Sequence, residues 1–243
     1  MTKDYHLGIA KTIVKTYIRQ ECKFRTDLHT HMNGNLPPDA LIALGIVRQL
    51  RYPYYYIKKL GLRCSADQTA RLEERREAAE AALTETRLTG KHRERRIDDN
   101  TFLNFAELIL GNPADARYNM DRIRNSLTIP KDGQAVFADL EKVYLYRYVF
   151  TRGIPDENRV TINGDYALPD EEINAALRQM DADRRNPAYA DFTLFQDKLL
   201  WIARSYARCG IDYAEISDTT LAKPTAAPHM LAEVHAVMPA IRQ

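Results

Sequence analysis

The chain has 243 residues, 45% of them hydrophobic and 28% charged, which is the composition of an ordered globular protein long enough for a sizeable core and excludes a disordered chain. With 35 basic residues against 33 acidic ones the formal net charge is +2, so the overall field gives no reason to expect nucleic acid as a partner. No apolar run approaches the roughly 20 residues that span a bilayer, and the start lacks the apolar core of a secretory signal, so a cytoplasmic protein with no membrane partner is expected. Cys22, Cys64 and Cys209 are odd in number and far apart, which argues against both a disulfide framework and a thiolate zinc site.

In chain order, Ala10, Ile13, Val14, Tyr17 and Ile18 recur at helical spacing opposite Lys11, Lys15 and Arg19, which predicts an amphipathic helix. Residues 24–31 predict a strand, Asn33-Gly34-Asn35 a turn, and Pro37-Pro38-Asp39 the start of a helix through about Gly45. From Ser65 to Arg96 the sequence is rich in Ala, Glu and Arg with Gly90 as its interruption, which predicts an exposed helix or helical hairpin with a solvated charged face. Dense apolar residues predict buried or interface helices at 100–110 and 136–150, and the polar stretch 155–170 predicts a surface loop. A helix over 194–208 is stopped by Gly210, a strand follows over 211–217, and a last helix begins near His229.

Side chains at i and i+2 of a strand share a side, so His29 and His31 can present two imidazoles to one metal ion, with Asp27 expected on the same side one step deeper. By spacing alone His-x-His is a weak signal, and a packed or surface histidine pair is the commoner case. A catalytic zinc takes three protein ligands and keeps a position for water, so at least one more ligand must come from elsewhere. The setting adds weight, because the pair closes a strand and a Gly-containing loop and a Pro-led helix follow, which is where (β/α) barrels carry their active sites. His229 and His235 stand six residues apart on a predicted helix and do not share a face, so solvent exposure is expected for both, and His6 and His92 have no suitable surroundings.

The stretch Asp27-Leu28-His29-Thr30-His31-Met32-Asn33-Gly34-Asn35-Leu36-Pro37-Pro38-Asp39-Ala40-Leu41 resembles the opening motif of the adenosine deaminase family, a branch of the metal-dependent amidohydrolases. Gly210 through Ser217 is similar to the family's Tyr-x-Glu strand, also entered from a helix, and Phe102, Leu103 and Phe105 bear a vague likeness to its substrate-pocket helix. The resemblance implies an α/β fold, the N-terminal part of a (β/α)8 TIM-like amidohydrolase barrel. It makes His29 and His31 ligands of Zn2+ and puts Asn33 beside the sugar hydroxyls of a purine nucleoside or nucleotide. The implied reaction is hydrolytic deamination of adenosine or an adenine nucleotide to the inosine form. Two positions depart from the pattern: Asn33 stands where the family usually has Asp, which keeps a carbonyl acceptor but loses the charge, and Ser217 stands where an Arg is usual.

The family's third histidine with its catalytic Glu, its later histidine and its paired aspartates lie beyond the Tyr-x-Glu strand, and no residue here matches them. About 180 residues separate His31 from Ile211, too many for one crossover. The expected layout is therefore the start of the barrel over 1–46, a mostly helical insertion over 47–195 and a continuation of the barrel over 196–243, in a chain that is the front part of a longer enzyme. The insertion is also similar, more weakly, to that of the oversized deaminase-like subunit of the RADAR phage-defence system.

A different class of function is an assembly module with an amidohydrolase-like fold that no longer turns over, forming a homo-oligomer through the helical insertion. The run Tyr52-Pro53-Tyr54-Tyr55-Tyr56 suits it if exposed, though core packing is the more common fate of such a run. A third reading is another amidohydrolase acting on a different amine or amide. The basic run at Arg93, Arg95 and Arg96 contains Glu94 and no interleaved aromatic residue, so nucleic acid is not expected there.

Overall fold

A computed structural model describes residues 25–84, 87–127, 148–151, 153–217 and 227–241. The expected segments 10–19 and 136–147, and His6 and Cys22, lie outside the described residues. The fold is mixed α/β and mostly helical, with short strands that form two two-stranded sheets among the described residues.

Strand β1 (Thr26–His31) leads through a 3-10 turn (Met32–Gly34) into helix α1 (Pro38–Val47). Pro37 caps α1 and Pro38 occupies its first turn, where a missing N–H costs nothing. Residues Ala40 through Val47 are all buried, so α1 is the central helix rather than an amphipathic surface one. Gly45 permits this closeness, since a Cβ there would stand 2.9 Å from Phe105 Cγ.

After α1 comes β2 (Arg51–Pro53), helix α2 (Tyr54–Leu60), the helical hairpin α3 (Ala66–Ala81) and α4 (Gly90–Asn100), and β3 (Phe102–Asn104), which pairs antiparallel with β2. The hairpin matches the expectation from composition. Ser65 and Gln68 form a capping box at the start of α3, and Gly90 takes a φ of 52° that few other residues adopt. Its charged face is less solvated than expected. Glu107 is only 4% exposed and meets both Arg71 and Arg75, while Asp98, equally buried, meets Lys58 and Arg76. The Glu107 pairs and Lys58–Asp98 tie the hairpin to the body of the protein, and Arg76–Asp98 ties its two helices together.

The segment 100–110, expected to be one helix, is instead β3 followed by α5 (Phe105–Leu110). The Asn104 side chain accepts from the Ala106 N–H at 2.9 Å, which starts the helix at Phe105 and leaves Phe102–Asn104 to pair with Arg51–Pro53. Helix α6 (Ala116–Ser126) follows, then the largely irregular stretch 155–170 that the sequence predicts as a loop, then α7 (Glu171–Arg185) and α8 (Leu194–Cys209). A capping box of Thr193 and Gln196 opens α8, and Gly210, at φ 67°, closes it with N–H bonds from Gly210 and Ile211 back to Ala207 and Tyr206. Strand β4 (Tyr213–Ser217) comes next, and α9 (Ala227–Ile241) packs on α8.

One hydrophobic cluster runs from Met32 through α1, α5, α6 and α7 to Trp201 and Ile202. The tyrosine run belongs to it: Tyr52 is fully buried, with its ring edge-on to Phe105 at 5.2 Å, and Tyr54 and Tyr56 pack on its border. Tyr52 thus packs in the core, while Tyr54, Tyr55 and Tyr56 are half-buried. No helix among the described residues is long and apolar enough to cross a membrane.

Candidate functional site

Strand β1 pairs parallel with β4, although their chain positions differ by 187 where Arg25 meets Asp212. The pairing begins with an exchange of bonds: Arg25 N–H donates to Asp212 Oδ2 at 3.1 Å and Asp212 N–H donates to the Arg25 carbonyl at 2.8 Å. The Arg25 guanidinium also donates to the Cys209 carbonyl at 3.3 Å, at the end of α8. The C-terminal ends of the strands finish level, with His31 the register partner of Ser217 and Thr30 that of Ile216.

The register contains one irregularity. Thr26 pairs with Tyr213 and Asp27 with Ala214, but the next partners are Thr30 and Ile216, three residues on in β1 and two in β4. Positions 28 and 29 thus stand together opposite Glu215, in the manner of a β-bulge. Register partners in a parallel ladder occupy the same face of the sheet. Position 31 therefore belongs to the face of Ser217, Glu215 and Tyr213, and position 27 belongs to the opposite face, with Ala214 and Ile216.

This corrects the expectation that Asp27 shares a side with His29 and His31. Simple alternation fails because the extra residue at 28–29 reverses the parity of the strand. Asp27 accepts the Tyr206 hydroxyl of α8 at 2.6 Å, and Ile216 packs on the core, so their face is the one covered by helices. The other face is open among the described residues: Thr26 and Glu215 are exposed and Tyr213 is 53% exposed. On it the Tyr213 hydroxyl donates to Glu215 Oε1 at 3.0 Å, a bond that raises the Tyr213 pKa.

Of the residues singled out in the sequence, His29 and His31 lie in β1 at its C-terminal end and Asn33 in the turn that follows. Their side chains lie outside the described residues. Nearby, Met32 and Leu36 are buried and anchor the turn, and the Asn35 N–H closes it on the Met32 carbonyl at 3.2 Å. His92, His229 and His235 are exposed, as expected, and His229 pairs with Glu233 at 3.0 Å. Phe105 is fully buried in the core and Phe102 and Leu103 form β3, so the likeness of this segment to a substrate-pocket helix does not hold. In the basic run, Arg93 pairs with Glu80 and Arg95 with Asp99.

Among the described residues no group of three or more His, Cys, Asp or Glu side chains converges to hold a metal ion. Two histidines one residue apart at the end of β1 are donors of a type that suits zinc, and they would be two of the three protein ligands a catalytic zinc takes. A groove of about 950 Å³ between α1, α7 and α8 is lined by Pro37, Ala40, Ala176, Trp201 and Arg204 among others. None of its lining residues belongs to β1 or β4, so it is separate from this strand pair. Glu215 belongs to the Tyr-x-Glu stretch read in the sequence, where it has no assigned role; that spacing puts both side chains on one face. Comparisons with protein-family models, with curated proteins and with solved structures gave no match.

Proposed function

We propose that this chain carries the metal-binding first strand of a zinc-dependent, adenosine deaminase-like hydrolase of the amidohydrolase barrel type, which converts adenosine or an adenine nucleotide to the inosine form. The observation that supports the reading is the pairing of β1 with β4. The two stretches that resemble the family lie far apart in the chain, and they pair as parallel neighbours with their C-terminal ends level. A (β/α) barrel requires that arrangement of consecutive barrel strands, and it collects functional groups at those ends.

When bound, zinc supplies Lewis-acid chemistry and lowers the pKa of a water at its open position. In this reading His29 and His31 hold the metal, and Asn33, in the turn after β1, offers a carbonyl acceptor and an amide donor to the sugar hydroxyls. The remaining ligands and the acid-base carboxylate belong to the intact protein outside the described residues. The hairpin α3–α4 and the helices around it form the insertion between the two strands. The alternative is an assembly module without turnover; of the tyrosine run that suits it, Tyr52 is buried in the core and Tyr54, Tyr55 and Tyr56 are half-buried.

The test is ammonia release and inosine formation from adenosine and from adenosine monophosphate by the full-length protein. Activity that is lost in His29→Ala and His31→Ala, by at least about 1000-fold as expected for losing a metal ligand and its chemistry, supports the reading. A full-length protein that binds zinc yet leaves every adenine substrate unchanged sinks it.

A further inference from the structure

We propose that Glu215 is a positioning residue for the metal site: its carboxylate, steadied by the Tyr213 hydroxyl, accepts the ring N–H that His29 leaves free when the imidazole binds metal. The inference rests on the zinc reading above and adds a residue to it.

Three observations carry it. Positions 28 and 29 stand opposite Glu215 in the parallel ladder, so Glu215 is the β4 residue level with His29, one step below the His31 and Ser217 pair. Glu215 lies on the open face that includes positions 31 and 217, whereas Asp27, the carboxylate nearest in sequence, is on the other face and already accepts from Tyr206. Among the described residues the partner of Glu215 is Tyr213, which bonds Oε1 at 3.0 Å and leaves Oε2 to accept another donor.

The chemistry of such a group is specific. A histidine that binds metal through one ring nitrogen donates the other N–H to an acceptor, and a carboxylate in that role fixes the tautomer, orients the ring and makes the ligating nitrogen more basic. The Tyr213 hydroxyl restricts the carboxylate to one orientation by a hydrogen bond to its charged form.

The experiment measures the affinity of the full-length protein for zinc alone, by competition with a chromophoric chelator, in wild type, His29→Ala, Glu215→Gln, Glu215→Ala and Tyr213→Phe, with a thermal unfolding midpoint for each. Loss of an outer-shell partner typically weakens metal binding about 10- to 100-fold. Glu215→Ala is expected in that range, Glu215→Gln at its lower end because an amide oxygen still accepts, and Tyr213→Phe weakened by less. Unfolding midpoints of the metal-free variants that stay at the wild-type value separate positioning from a structural role. Zinc binding that depends on His29 and is unchanged in Glu215→Ala overturns this proposal and leaves the zinc reading standing. A wild-type full-length protein that takes up no zinc, or whose uptake ignores His29→Ala, overturns both.

Discussion

The Tyr206 hydroxyl of α8 donates to Asp27 Oδ2 of β1 at 2.6 Å, joining residues 179 positions apart. This bond holds the first strand against the helix that leads into β4, and it turns Asp27 away from the face of Glu215. A hydrogen bond to a charged acceptor contributes about 1.5–3 kcal/mol, less where water competes. Tyr206→Phe removes it and keeps the ring, so it is expected to lower stability by about 1–2 kcal/mol in urea unfolding. A change below about 0.3 kcal/mol would contradict a role for this bond in docking β1.

Gly45 lies in the middle of a buried helix, where alanine is ordinarily better by about 1 kcal/mol. Here the added methyl would stand 2.9 Å from Phe105 Cγ and 3.0 Å from Cδ1, closer than carbon atoms pack. Gly45→Ala is therefore expected to destabilise by about 1–3 kcal/mol. Phe105→Leu should recover part of that loss in the double variant, because the two positions share one contact. Additive losses in urea titrations of the four proteins would show that the contact does not limit the site.

Arg124 meets Asp39 at the start of α1, Asp121 within α6 and Asp170 at the N-cap of α7. Burial alone would raise the Asp170 pKa, but the Ile173 N–H at 3.0 Å and the Arg124 guanidinium outweigh it and hold the carboxyl below its ordinary value. A carboxylate whose folded pKa is depressed contributes stability above its unfolded pKa, and loses that contribution as pH falls through the folded value. Wild type is therefore expected to lose stability below about pH 4, near the unfolded pKa of an aspartate. Asp170→Asn keeps the cap acceptor and is expected to cost about 1 kcal/mol at pH 7, with a gap from wild type that closes as pH falls toward 2. A gap independent of pH would show that the charge is not what holds the two helices.

Much of the fold was legible because its local signals agree. Pro37-Pro38 and Gly210 mark a helix start and a helix stop, and the Ala, Glu and Arg composition of 65–96 reads as a helix or helical hairpin, which is a hairpin whose second helix starts at Gly90. What escaped reading depends on partners far away in the chain. Strand β3 exists because Phe102–Asn104 meets Arg51–Pro53, and nothing within 100–110 announces that pairing. The charged face of the hairpin reads as solvated, yet its arginines reach the buried Glu107 and Asp98. At the strand pair, period-two alternation put Asp27 beside the histidines. One extra residue, set by the register with β4, moved it to the other face, and the same register put Glu215 level with His29.

Whether His29 and His31 hold a metal ion at the C-terminal end of β1 is tested most directly by elemental analysis of the purified full-length protein. The account predicts about one zinc per chain, the complement of a single catalytic site, retained through gel filtration and lost in both His29→Ala and His31→Ala. A protein that elutes free of zinc, even after incubation with zinc, or that keeps its zinc in both variants, would contradict it.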